Sequence, residues 1–85
     1  MNSKELKNIK TGIELVIMYI DEEGDFRYLD PEVISTAAFD VVDRIEEIRA
    51  GMKRFSSYSR KNQYVKEEVR KSLDYALKLK QQNVN

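Results

Sequence analysis

Two stretches of the 85-residue chain hold residues whose types and spacing could do chemistry. The first is DEEGDFRYLDPE, residues 21–32. Carboxylates occupy positions 1, 3, 5 and 12 of a calcium-binding loop, namely Asp21, Glu23, Asp25 and Glu32. Position 6 of such a loop requires glycine for a sharp turn, but here it is Phe26, and the glycine comes two residues earlier. We therefore interpret the stretch as a solvated acidic loop and expect no bound metal or other cofactor.

The second stretch is KRFSSYSRKNQY, residues 53–64, which holds four cations, three aromatic residues and no acid. Cations can neutralise phosphates, and aromatic rings can stack on unpaired bases. The candidate interaction residues are Lys53, Arg54, Tyr58, Arg60, Lys61, Tyr64, Lys66, Arg70 and Lys71. Nucleic-acid-binding domains are typically basic overall, whereas the formal net charge of this chain is zero. The sequence therefore favours a junction between two helices over a nucleic-acid site.

Catalysis has little support in the composition. The chain has no cysteine and no histidine, which excludes thiol nucleophiles, imidazole bases and the usual zinc ligands. A serine paired with Lys61 has no third group to orient it. The adjacent Glu46 and Glu47 point to different sides of a helix. We expect the protein not to be an enzyme.

The charges are strongly segregated along the chain. Residues 1–20 carry a net charge of +1, residues 21–47 carry −8 and residues 48–85 carry +7. An acidic segment followed by a basic one predicts two elements with complementary charge packed against each other.

Helices must position both stretches, and the clearest one follows the acidic loop. Asp30 can cap a helix, and Pro31 suits its first position. A heptad pattern follows, made by Ile34, Ala38, Val41, Ile45, Ile48, Met52 and Phe55. The pattern predicts a helix over residues 31–55, although Gly51 could end it early. A second apolar stripe predicts a last helix that begins between Ser59 and Asn62 and continues to about residue 80.

The first thirty residues allow two interpretations. Apolar residues between Leu6 and Ile20 fall on one helical face, and NSKE at residues 2–5 is typical of a capping box. Gly12 and the β-branched residues favour instead a β-hairpin over residues 13–29, with its turn at DEEGD. We favour the helix, because the hairpin strands do not alternate cleanly and an isolated hairpin is marginally stable.

The predicted fold is all-α and forms a single domain over residues 1–85. It is a three-helix bundle in which the second and third helices form an antiparallel hairpin. The alternative is an α+β fold, with the N-terminal hairpin packed on two helices. The predicted core is Ile13, Val16, Ile17, Ile20, Ile34, Ala38, Val41, Ile45, Ile48, Met52, Val65, Val69, Leu73 and Leu77.

The function predicted from these features is binding. A first helix that is apolar nearly all round needs more cover than two further helices provide, which favours a dimer. We predict a small cytoplasmic adaptor or regulatory protein that forms a homodimer and contacts another protein. A membrane is not an expected partner. A regulator that binds nucleic acid through residues 53–71 is the alternative.

Overall fold

The computed structural model describes residues 2–82 and is all-α. It contains helices α1 (Ser3–Glu23), α2 (Pro31–Asp43), α3 (Ile45–Met52) and α4 (Tyr58–Gln82), with a short 3-10 turn at Phe26–Tyr28. No strand occurs within residues 2–82, so the alternative β-hairpin over residues 13–29 is wrong. In the same residues no helix combines the length and the hydropathy needed to span a bilayer.

Local signals at both ends of α1 explain why the helix prevails over the hairpin. The Asn2 side chain accepts a hydrogen bond from the Glu5 N–H at 2.8 Å and donates to the Glu5 carboxylate at 3.2 Å. At the other end Gly24 has a φ of +63°, and its N–H donates to the Ile20 carbonyl at 2.9 Å. This left-handed conformation favours glycine and ends the helix.

Gly12 is a packing residue inside α1. A Cβ atom at this position would lie 2.8 Å from both the Ala38 carbonyl oxygen and the Val42 Cγ2 atom of α2. The two helices therefore approach closely because residue 12 lacks a side chain. This contact accounts for a glycine that otherwise argues against a helix.

The predicted helix over residues 31–55 is interrupted. Its start is confirmed, since Asp30 accepts hydrogen bonds from the Glu32 N–H at 2.8 Å and the Val33 N–H at 3.4 Å. The single continuous helix is wrong, because Arg44 lies between α2 and α3 with φ −106° and ψ 9°. The heptad pattern could not show this break, since Ile45 continues the apolar side directly after it and is buried.

The core lies where α1, α2 and α4 meet, with α3 closing one end. Eight predicted core residues are confirmed as buried: Val16, Ile20, Ala38, Val41, Ile45, Ile48, Val69 and Leu73. Another three, Ile34, Val65 and Leu77, are partly buried against them, and Met52 is also half-buried. The prediction is wrong for Ile13 and Ile17, which are 40% and 51% exposed. They lie on a side of α1 that the other helices of residues 2–82 leave exposed.

Tyr28 is a core residue that the sequence analysis did not predict. It is 2% exposed, and its ring meets that of Tyr19 edge-on at 6.3 Å between centroids. Its hydroxyl donates a hydrogen bond to the Asp74 carboxylate of α4. The 3-10 turn thus anchors the acidic loop to the last helix.

Candidate interaction surfaces

The first part of the basic stretch forms the junction between α3 and α4. The Arg54 guanidinium carbon lies 5.8 Å from the centroid of the Phe55 ring and 5.5 Å from that of Tyr64. The two rings are 5.6 Å apart, and the Tyr64 hydroxyl occupies the space that a side chain on Gly51 would need. Arg54 and Tyr64 are therefore engaged in contacts within the chain.

Two further candidate cations are paired with carboxylates. The Lys66 ammonium lies 2.9 Å from Glu22 and 3.3 Å from Glu23 of α1, and hydrogen bonds to these carboxylates raise the pKa of Lys66. The Lys71 ammonium lies 2.8 Å from Glu68. Arg70 lines a shallow depression beside Tyr19 and Glu23. These contacts lower the positive potential along this part of α4.

The remaining four candidates are close together in sequence around the start of α4. Tyr58 is 79% exposed, Lys53 and Arg60 are exposed, and Lys61 is half-buried. Within residues 2–82 none of the three cations forms an ion pair. Of the predicted interaction residues, these four and Arg70, which is also exposed and forms no ion pair within residues 2–82, are available to a partner.

The carboxylates of the acidic loop are dispersed. Glu23 belongs to α1 and pairs with Lys66, while Asp25 pairs with Arg27 at 2.7 Å. Glu32 lies in the first turn of α2. Among the described residues no group of three or more potential metal-ligating side chains forms.

A partly buried polar network connects α2 to α4, and it was not predicted. Arg44 donates to the Glu68 carboxylate at 3.0 Å, to the Glu68 carbonyl at 2.7 Å and to the Ser72 hydroxyl at 2.6 Å. The Ser72 hydroxyl in turn donates to Asp40 at 2.7 Å. Ser72 is fully buried, and its hydrogen bonds are satisfied within the network. The cluster therefore joins the C-terminal end of α2 to α4 through hydrogen bonds.

A further exposed surface is apolar, and we name it the α1–α2 face. It comprises Leu6, Ile9, Ile13, Ile17, Phe26, Leu29, Ile34 and Phe39. Phe26 is 73% exposed, Leu29 is 61% exposed and Phe39 is 56% exposed. The α1 residues of this face belong to the predicted apolar stripe between Leu6 and Ile20, although Ile13 and Ile17 were predicted to be core.

Two adjoining cavities lie on the α1–α2 face. One, of about 370 Å³, lies between Ile9 and Ile13 of α1 and the side chains of α2. The other, of about 310 Å³, lies between Ile17 and the 3-10 turn. Ile34 lines both cavities, so the apolar surface is continuous from one to the other.

Comparison with known proteins gives no further guide to the site, because no family model, curated protein or solved structure matches the chain.

Proposed function

We propose that the protein is a small, non-catalytic helical adaptor or regulatory protein that acts through protein–protein contacts and forms a homodimer. The observation that carries the proposal is the continuous α1–α2 face, on which Ile17, Phe26 and Leu29 are all more than half exposed. Large contiguous apolar patches are rare on monomeric proteins and mark surfaces that bind other molecules. In this proposal the α1–α2 face binds a second copy of the chain. The assembled dimer then binds a partner protein in the cytoplasm through its other surfaces.

The proposal includes a bundle in which α2 and α4 pair as an antiparallel hairpin. Two ion pairs support this arrangement. Asp30, just before α2, pairs with Lys80 near the end of α4, whereas Arg44, just after α2, pairs with Glu68 nearer its middle. The charges of the acidic and basic segments are complementary in this arrangement. The third helix of the bundle is α1, which packs against the hairpin.

The test compares two substitutions on neighbouring residues of α1. Ile17 and Met18 are 51% and 53% exposed, but Met18 lines a different depression, beside Tyr58. We expect Ile17→Asp to produce a monomer, because it places a charge in the apolar contact. Met18→Asp has the same charge and exposure and should leave the dimer intact.

Sedimentation equilibrium of the wild-type chain and both variants measures this difference, and circular dichroism shows whether each variant remains helical. A wild-type mass equal to that of one chain at all accessible concentrations would contradict the homodimer. Equal effects of the two substitutions would show that the α1–α2 face is not the contact.

The second candidate function is nucleic-acid binding, favoured by Tyr58 and the neighbouring cations Arg60 and Lys61. Binding through phosphates weakens steeply with salt, whereas an apolar contact does not. If this function is correct, Arg60→Ala with Lys61→Ala should abolish binding to a mixed fragment pool and leave the dimer unchanged. Fluorescence anisotropy at low and moderate salt provides the measurement, with Lys4→Ala combined with Lys78→Ala as the control that removes the same charge at exposed positions elsewhere.

A further inference from the structure

We propose that two copies pair through α1 in antiparallel orientation, about a two-fold axis that passes beside Ile13. This inference rests on the proposed homodimer and adds its geometry. It is carried by the distribution of apolar and charged residues on the uncovered side of α1.

The apolar stripe of α1 is centred on Ile13. Leu6 and Ile17 are 57% and 51% exposed on either side of Ile13, which is itself 40% exposed, and Ile9 is half-buried between them. Ile13 is also the middle residue of the 21-residue helix Ser3–Glu23. A two-fold axis at the centre of a helix lets the same stripe serve both copies, as an isologous contact requires.

The charges beside this stripe determine the orientation. Lys7, Glu14 and Asp21 are seven residues apart and follow one line along α1. All three are exposed, and within residues 2–82 none of them forms an ion pair. Their charges are therefore available to a neighbouring helix.

In a parallel pair related by a two-fold axis, this line would lie on opposite sides of the contact in the two copies, so Lys7 and Asp21 could not pair. In an antiparallel pair the line lies on the same side of the contact in both copies and runs in opposite directions, so Lys7 of each copy approaches Asp21 of the other and two attractions form. Glu14 is next to the axis in the antiparallel pair and approaches Glu14 of the other copy, which is a repulsion. Lys10, one turn earlier and also exposed, reduces that repulsion.

In the antiparallel arrangement the second copy also covers Phe26 of the 3-10 turn. Phe26 follows the C-terminal end of α1 and is 73% exposed. When the second α1 runs in the opposite direction, its N-terminal half lies beside this ring, with Leu6 and Ile9 in reach. The most exposed apolar side chain of the face is then covered by the apolar residues at the opposite end of the stripe.

Cysteine cross-linking tests the axis, and the cysteine-free chain provides a clean background. In Ile13→Cys two thiols meet at the axis, and we expect a disulfide-linked dimer after mild oxidation. In Leu6→Cys the two thiols lie fourteen helical positions apart, about 21 Å at 1.5 Å per residue. A disulfide needs Cα atoms within about 7 Å, so this variant should remain uncross-linked. A parallel pair would cross-link at both positions.

Charge reversal provides an independent test of the orientation. Lys7→Glu and Asp21→Lys should each weaken the dimer by about three- to thirtyfold, the range expected when exposed pairs become repulsive. The double variant should return the dissociation constant to within about threefold of the wild-type value, because the pairs are restored with exchanged signs.

The outcomes separate this inference from the proposed function. A wild-type chain that sediments as a monomer overturns both. A wild-type dimer that cross-links at Leu6→Cys, or that fails to cross-link at Ile13→Cys, overturns the antiparallel axis and leaves the homodimer standing. Single charge reversals with no effect on a stable dimer also overturn it.

Discussion

At the scale of single residues, Arg44 connects three helices. It lies between α2 and α3, and its guanidinium reaches Glu68 and Ser72 of α4 at 3.0 and 2.6 Å. The Glu68 side chain is only 12% exposed, so its charge needs a partner. Hydrogen bonds from Lys71 and Arg44 hold the pKa of Glu68 below its usual value despite its burial.

Replacing Arg44 should therefore destabilise the fold. We expect Arg44→Ala to lower the free energy of unfolding by about 2–3 kcal/mol, because a partly buried carboxylate and hydroxyl lose their donor. Arg44→Lys keeps the charge but cannot form the same set of hydrogen bonds, so about half the loss should remain. Urea denaturation measures both, with Arg49→Ala as the control, since Arg49 is exposed and pairs with Glu46 at 3.1 Å. A loss no larger than that of the control would contradict the structural role.

Tyr28 makes stability depend on alkaline pH. Burial, together with the hydrogen bond to Asp74, raises the pKa of Tyr28 to about 12. Because the folded state holds this proton more tightly than the unfolded chain, where tyrosine titrates near 10, the contribution is complete below about pH 10. It is lost as the pH rises towards 12.

We expect Tyr28→Phe to remove this part of the alkaline destabilisation and to cost about 1 kcal/mol at neutral pH through the lost hydrogen bond. The free energy of unfolding, measured by urea titration from pH 7 to 11, checks both effects. Lys66 and Lys80 form salt bridges that raise their pKa values, so their contributions to stability are also lost as the pH rises. The difference between wild type and variant, which both retain these lysines, therefore isolates Tyr28. Parallel pH profiles would show that Tyr28 does not contribute.

At the scale of the elements, the close contact of α1 with α2 depends on Gly12. In an open helix Gly→Ala stabilises by about 1 kcal/mol, but here the added methyl group would meet a backbone carbonyl at 2.8 Å. Since the carbonyl cannot rotate away, the helices must separate. We expect Gly12→Ala to destabilise by about 1–3 kcal/mol in urea denaturation. Met18→Ala, at an exposed position of the same helix, should change stability by less than about 0.5 kcal/mol. A more stable Gly12→Ala variant would contradict the contact.

The helices themselves could be predicted from local sequence. The capping box at Asn2 and the Asp30–Pro31 start act within a few residues, so the sequence shows them directly. The break at Arg44 could not be predicted, because the partners of its guanidinium lie 24 and 28 residues away in α4. For the same reason the burial of Tyr28 against Asp74 was missed.

The candidate surfaces were predicted less well than the helices. Periodicity places Ile13 and Ile17 on one stripe of α1, but it does not show whether this chain or another molecule covers the stripe. The cations of residues 53–71 form a single group in the sequence, whereas the structure pairs Lys66 and Lys71 with acids and leaves Arg60 exposed. Such pairing depends on which helix faces which, and local composition does not contain that information.

At the scale of the whole molecule, charged residues that are far apart in the sequence form ion pairs between segments. Lys66 pairs with Glu22 and Glu23 at the end of α1, Lys80 pairs with Asp30, and Arg44 pairs with Glu68. Lys66 and Lys80 of the basic end thus pair with acids of the middle segment, and the Arg44–Glu68 pair joins the same two segments with the signs exchanged. The apolar side chains of the α1–α2 face remain exposed within residues 2–82, and this face determines how the whole molecule should behave in solution.

If a second copy covers that face, the stability of the fold must depend on protein concentration. A dimer that dissociates on unfolding gains about 0.7 kcal/mol per chain for each tenfold increase in concentration. For a domain of this size the thermal midpoint should then rise by about 3–6 °C per tenfold increase. Differential scanning calorimetry over a hundredfold concentration range measures the shift.

Met18→Asp should keep the concentration dependence, and Ile17→Asp should lose it because its folded chain is a monomer. A midpoint for the wild-type chain that does not change with concentration would mean that the exposed face contributes nothing to stability through self-association.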